Sequence, residues 1–503
     1  MRTLYRATLV RTQSYPPMGE WVLVDGRHVE RVGAGEAPAA DRVVELPGTT
    51  IVPGFVDAHV HLTGTGIHQR APDLGRARSA SELLDAVRAA VQDREGPSLV
   101  HGYDESTWER REPPTAEDLD RVSDRPLAVV RVDGHLSIAN RSALREAGVS
   151  DLPGVERGDD GEPTGRVRAR ANDALQRWFA ANLTERDVEQ LQLAAAAMAA
   201  SRGVTTVHEM SLVHERGMRD LEVLLRHRHR LPLDVVPYVG TSEVSRAIET
   251  GMSRLGGDLP VDGSIGARTA WVVQPYVDGT GSGIAYFDED ELAQYFHDGH
   301  LAGLQVGVHA IGDAAVEQVI ATWERVFRSL DSRGRRHFRA RRHRIEHAEM
   351  IGLDLLERAA MLGLALSVQP SFDGAWGHAG GLYEQALGAA RAAAMNPFRD
   401  ILQRGVEMGA GSDSPITALD PMAGIEAFEN HHDPRQCLTR EEAIRLWTTG
   451  AARLANQEDK KGSLEPGSHA DLAAYEEDPF LAADLRSVRP VLTVSLGRDV
   501  YAS

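Results

Sequence analysis

From residue 51 onward the chain alternates between short apolar runs of strand-forming residues and helical stretches. That alternation fits a parallel sheet with helices packed outside it. Eight runs can be counted, at residues 51–59, 204–208, 233–239, 258–263, 304–309, 343–347, 364–369 and 406–412. Eight is the number that closes a (β/α)8 barrel, whose sites lie at the C-terminal ends of the strands. The residues with chemistry to offer fall at those ends: His59 and His61, His208 and Glu209, Asp262, His309, His347, Gln369 and Asp413.

The first run carries the sharpest signal. It begins with the apolar Ile51 and Val52 and ends in His59-Val60-His61. Strand side chains alternate between faces, so residues two apart share one. Both imidazoles can therefore point into one pocket, which suits a borderline metal such as Zn²⁺. A His-x-His pair alone is a weak motif; the later histidines give it weight.

With 503 residues the chain is too long for one simple core, and one large domain with an appendage or insertion is expected. A net charge of −19 argues against non-specific binding to nucleic acid or to an anionic membrane surface. The single cysteine, Cys437, excludes an intrachain disulfide and a thiolate zinc cluster. With no signal-like segment and no long apolar span, the reading is a cytoplasmic protein with a small-molecule substrate.

Residues 1–50 contain three strand-like runs that need a partner to bury their apolar face. Alternating residues near 470–475 and 492–496 offer one. A composite β-domain from residues 1–50 and 463–503 is thus predicted, with the barrel over 51–462. Residues 64–200 exceed one barrel unit and hold two more strand-like runs, so an α/β insertion over the barrel mouth is expected there. Its Tyr103-Asp104-Glu105 and Asp133-Gly134-His135 segments could reach a substrate.

His309 and His347 each close a strand-like run, where a ligand is well placed. Asp413 sits in the glycine-rich Gly409-Ala410-Gly411-Ser412-Asp413 turn, where a lone aspartate is usually a helix cap. Taken together, four histidines and one aspartate at barrel strand ends point to metal chemistry. A zinc-type ion lowers the pKa of bound water to about 7. A carboxylate beside that water serves as general base and then protonates the leaving group, a role that suits Asp413. The expected reaction is hydrolysis of an amide or related C–N bond. Deamination of an aminated heterocycle and a catalytically silent ligand-binding barrel are the alternatives.

At this point the chain resembles the metal-dependent amidohydrolase superfamily, in the branch of N-substituted formamide deformylases and D-aminoacylase-like enzymes. The carriers are Pro53-Gly54-Phe55-Val56-Asp57-Ala58-His59-Val60-His61, Asp133-Gly134-His135, Gly203-Val204-Thr205-Thr206-Val207-His208-Glu209, Val261-Asp262-Gly263-Ser264, His309-Ala310-Ile311-Gly312-Asp313, Arg344-Ile345-Glu346-His347 and Gly411-Ser412-Asp413. The resemblance implies a barrel bearing a composite β-domain. It implies metal ligation by His59, His61, His309, His347 and Asp413, with Asp413 also handling the proton, and a homodimer or larger assembly.

One departure matters. The branch often carries a carbamylated lysine, bridging two metals, four residues before the Asp-Gly of the fourth strand; here that position is Asp258. In one reading Asp258 or Glu209 replaces the bridge. In the other, toward which the sequence leans, a single metal is bound by His59, His61, His309 and Asp413. His347 then polarises the scissile carbonyl or supports the ligands. For the substrate, Arg268 is a candidate carboxylate clamp, and His135, Trp376 and Gln369 are candidate contacts.

Overall fold

The computed structural model describes residues 1–70, 73–92 and 95–503; residues 71–72 and 93–94 of the predicted insertion lie outside the described residues. The chain opens with β1 (Arg2–Arg11), β2 (Met18–Asp25), β3 (His28–Gly33) and β4 (Arg42–Pro53). Tyr5, Val22, Val24 and Ile51 from these strands share one buried face. The first barrel strand, β5 (Phe55–Val60), follows after Gly54. Ile51 and Val52 therefore belong to β4 and not to the barrel, a correction to the 51–59 run. The break falls at Gly54 because a Cβ there would stand 2.3 Å from Thr205 Cγ2.

The insertion holds β6 (Ser98–Tyr103), β7 (Leu127–Arg131), β8 (Leu136–Ala139), β9 (Val155–Arg157) and β10 (Pro163–Arg168). They form one sheet in the order β6-β7-β8-β10-β9. Among the described residues two hydrogen bonds tie it to the barrel: Trp376 Nε1 donates to Asp104 Oδ2 at 3.2 Å, and Ser264 Oγ donates to Asp133 Oδ2 at 2.6 Å. The Ala-rich helix Glu185–Ala200, read from sequence as part of the insertion, sends Ala195, Ala196 and Ala199 into the barrel's own core.

The barrel continues through β11 (Val204–Leu212), β12 (Asp234–Gly240), β13 (Arg254–Leu255), β14 (Gln305–Ala310), β15 (Arg344–His347), β16 (Ala365–Val368) and β17 (Glu407–Ala410). With β5 these make an eight-stranded sheet in sequence order. It closes just past the strand ends, where Asp413 N donates to His59 O at 2.8 Å and His61 N to Ser414 O at 2.9 Å. Gly411 permits this closure, since a Cβ there would lie 2.5 Å from His59 N. On the outside, Trp323 stacks on Phe296 with ring centroids 3.9 Å apart, the kind of aromatic burial that dominates core energetics.

The fourth strand departs from expectation. The run at 258–263 is not a strand; β13 ends at Leu255, and beyond it only Pro260 makes an isolated bridge, to His309. Gly256 and Gly257, with φ of 77° and 65°, turn the chain over the barrel mouth, and Asp258 rides on that turn.

The last strands are β18 (Leu472–Tyr475), β19 (Pro490–Ser495) and β20 (Arg498–Ala502). β18 pairs antiparallel with β4, giving one seven-stranded sheet in the order β20-β19-β18-β4-β1-β2-β3. The fold class expected from sequence is therefore present in all three parts. Among the described residues no helix is long and apolar enough to cross a membrane.

Candidate metal centre

Six side chains converge at the C-terminal mouth of the barrel. His59 lies on β5 and His61 one residue beyond it, with ring centroids 5.3 Å apart. His309 is on β14 and His347 ends β15, their centroids 4.5 Å apart. Asp413 follows β17, and Asp258 follows β13.

Each imidazole has its tautomer set from outside the cluster. The Nδ1–H groups of His59, His61 and His347 donate to Glu346 Oε2 (2.9 Å), Met210 O (2.8 Å) and Gln369 Oε1 (2.7 Å). His309 is reversed: its Nε2–H donates to Gly263 O at 3.2 Å. Three Nε2 lone pairs and one Nδ1 lone pair are left pointing inward, toward carboxylates. Asp413 Oδ1 is 3.3 Å from His59 Nε2 and 3.0 Å from His61 Nε2. Asp258 Oδ2 is 3.6 Å and 3.4 Å from the same two nitrogens, and its Oδ1 is 3.2 Å from His309 Nδ1 and 3.1 Å from His347 Nε2.

Lone pairs facing carboxylate oxygens at these distances require positive charge between them. Protons or metal ions can supply it. His59 Nε2 and Asp413 Oδ1 are buried and make no hydrogen bond. These orphaned atoms, in an all-nitrogen and oxygen donor set held by outer partners, fit a zinc-type ion. Without metal the protons stay: burial lowers His59, but the Asp413 and Asp258 charges outweigh it and push it up to about 10. His309 is likewise pushed up to about 9, Asp258 overcoming burial. Burial raises the Asp258 carboxyl, yet the facing imidazoles hold it well below the usual carboxylate range.

The backbone is strained here. His347, Ala348 and Asp413 have φ of 69°, 51° and 54°, the left-handed region that non-glycine residues seldom occupy. The strained turns aim both side chains inward.

Glu346 belongs to a chain of contacts that the sequence reading missed. Arg344, fully buried, donates to Glu346 Oε2, to Ala58 O and to His208 Nδ1. The Arg344–Glu346 pair thus fixes His59, while His208 supports Arg344 from within the barrel. A visible signal existed: two opposite charges alternating with Ile345 on a core strand. Asp262 accepts from the backbone N–H groups of Trp271, Ile311 and Gly312, fastening the two loops above His309.

The other candidates sort clearly. His135 and Trp376 line the cleft above the centre, and the His135 ring lies 5.3 Å from that of His309. Burial, aided by the neighbouring His309, lowers His135 to about 4, so its ring is neutral. Arg268 is turned away: its Nε donates to Asp278 Oδ2 at 2.7 Å and its Nη1 to Ile265 O, so it is structural. Gln369 orients His347 and does not line the cleft. Glu209 accepts from Leu62 N at 2.8 Å and tethers the start of the helix after His61. Replacing Gln369 with Met removes the acceptor of His347 Nδ1–H. Metal affinity is then expected to fall by about 10–100-fold, measured by competition with a chromogenic chelator.

Comparison with known proteins agrees with this geometry. A model described as "Amidohydrolase family" matches residues 42–501. The chain is 29% identical over 499 residues to "Putative amidohydrolase YtcJ" of Bacillus subtilis (strain 168), covering 91% of this chain and 90% of that protein. It is 24% identical to the N-substituted formamide deformylase of Arthrobacter pascens, over 94% of this chain and 93% of that one. Among solved structures, an uncharacterized metal-dependent hydrolase from Pyrococcus horikoshii OT3 superposes with a TM-score of 0.77 at 26% identity, covering 96% of this chain and 99% of its own. The family model's residues take in β4, the insertion, the barrel and the C-terminal strands. The chain therefore belongs to the amidohydrolase family, and is a metal-dependent hydrolase of C–N bonds.

Proposed function

We propose that this centre would hold two metal ions, with the plain carboxylate of Asp258 serving both. The observation that carries the reading is the placement of that carboxylate: Oδ2 faces His59 and His61, and Oδ1 faces His309 and His347. One zinc-type ion would be held by His59, His61 and Asp413, the other by His309 and His347, with Asp258 shared. The sequence leans to a single metal, since Asp258 stands where the branch often carries its bridging lysine; the burial of Asp258 among four imidazoles favours two.

Bound there, the ions would supply a nucleophilic water at neutral pH and polarise the scissile carbonyl. The chain's own groups do the rest. Asp413 Oδ1, free of hydrogen bonds, takes a proton from the attacking water and returns it to the departing nitrogen. Neutral His135 retains one ring N–H to donate to the substrate's carbonyl oxygen. Phe372, nearly parallel to His347 with an interplanar angle of 9°, and Trp376 form an apolar wall that excludes water. The cleft suits a small amide, formamide or acylamino compound.

The test is elemental analysis of protein purified without chelator, followed by stripping and reconstitution. About two ions per chain are expected, with amide turnover lost on stripping and restored by zinc. Activity that survives complete stripping would refute the proposal.

A further inference from the structure

The metal centre accounts for the scissile bond but not for what holds the rest of the substrate. One side of the cleft is apolar: Ile265, Ile311, Phe372, Trp376, Leu382 and Tyr383 line it and pack as one cluster. A single acid, Glu349, is set against that cluster and lines the same cleft. Its backbone is held between two loops, because Met350 N donates to Ile311 O at 3.1 Å and Asn396 N donates to Glu349 O at 2.8 Å.

The Glu349 side chain is buried, with 4% of the residue exposed. Oε2 accepts from the Tyr383 hydroxyl. Among the described residues Oε1 accepts nothing, and no arginine, lysine or histidine forms an ion pair with the carboxylate. The charged groups that act on it most strongly are His309, Asp262 and Asp373. His309 belongs to the metal centre. Asp262 is taken up by three backbone N–H groups, and Asp373 by His432. The arginines of the cleft are engaged elsewhere. Arg131 is neutralised by Asp104, Glu105 and Asp133, and Arg216 lies among Glu209, Glu215 and Asp220.

A buried carboxylate without a countercharge is costly, and a cation brought by the ligand removes that cost. Aromatic rings beside the carboxylate favour the same partner, since their faces attract positive charge. The chain's net charge of −19 also draws cations toward the molecule. We propose that Glu349 is the anchor of a cation subsite, pairing through Oε1 with an ammonium group of the substrate. The substrate is then a small amide or formamide that carries a basic amino group, held against the Phe372 and Trp376 wall. This rests on the hydrolytic reading of the centre.

The experiment compares matched pairs on the zinc-loaded enzyme. One member is an N-formyl or N-acetyl diamine, or an ω-amino acid amide, in series of increasing chain length. The other is its uncharged isostere, with methyl in place of the ammonium group. At the favoured length the ammonium compound is expected to exceed its isostere in kcat/KM by roughly 10- to 100-fold. That ratio is expected to collapse toward one in Glu349→Gln, which keeps the size and an acceptor for Tyr383, and to recover in part in Glu349→Asp. Zinc content and thermal melting of the variants read the fold apart from the subsite. A ratio near one at every length in the wild type, or a ratio that survives Glu349→Gln, would overturn the proposal. Calorimetric titration of the same pairs separates this failure from failure of the hydrolytic reading. Ammonium compounds that bind the wild type more tightly than their isosteres and more tightly than they bind Glu349→Gln, with no turnover, would uphold the subsite and refute cleavage of this class. Turnover of the isosteres alone would uphold cleavage and overturn the subsite, as would pairs whose members bind alike or not at all.

Discussion

Asp258→Asn is expected to lower the metal content from about two ions per chain to about one, and kcat/KM by roughly 10²–10³-fold or more. Asparagine keeps the volume and one carbonyl oxygen but loses the charge that both pairs of imidazoles face. Its amide nitrogen would oppose the lone pairs on one side with a donor and give nothing to the ion there. A bridge is the arrangement in which one residue controls both ions, so the effect should exceed that of losing any single histidine. Elemental analysis and steady-state kinetics on the same sample read both quantities. An ion count of about one in wild type and variant alike would remove the bridge and restore the single-metal alternative.

Asp413→Asn is the second large effect. The expected loss is roughly 10²–10⁴-fold in kcat, the usual contribution of a positioned general base. Asparagine tolerates the left-handed backbone that residue 413 adopts, so the turn should hold. Because Asp413 also faces His59 and His61, the assay belongs at saturating zinc, where weakened binding no longer limits the rate. Burial raises the Asp413 carboxyl, but His59, His61 and His347 outweigh it and keep it below its ordinary value. It is therefore ionised at neutral pH, and activity depending on it should fall only on the acidic side. The variant should lose that acidic limb along with the rate. A variant with unchanged kcat would transfer the proton role to another group.

The barrel was legible because period and chemistry coincide: strand-like runs recur, and His59, His309 and His347 sit where strands end. Arg268 misled because an arginine in a glycine-rich loop looks free until its partner is known, and Asp278 is ten residues away in an irregular segment. Asp258 was undervalued for a related reason. Its neighbours Gly256, Gly257 and Pro260 argue locally for a surface turn, and they do make a turn, but one folded inward over the mouth. The strain at His347 and Asp413 is invisible, because nothing in either side chain announces a left-handed backbone.

The pairing of β4 with β18 bears on how the molecule is made. β4 is complete once residue 53 has been synthesised, but its antiparallel neighbour begins at Leu472. At about 5–20 residues per second the ribosome needs roughly 20–80 s to deliver that partner. Throughout that interval one edge of β4 stays open, and the strand that leads to His59 hangs from it through Gly54. Gly54 itself is pinned by Asp471 O at 2.9 Å, another late arrival. The earliest-made ligand of the centre is thus among the last to be fixed, and a nascent chain exposes a paired but unfinished sheet edge for most of its synthesis.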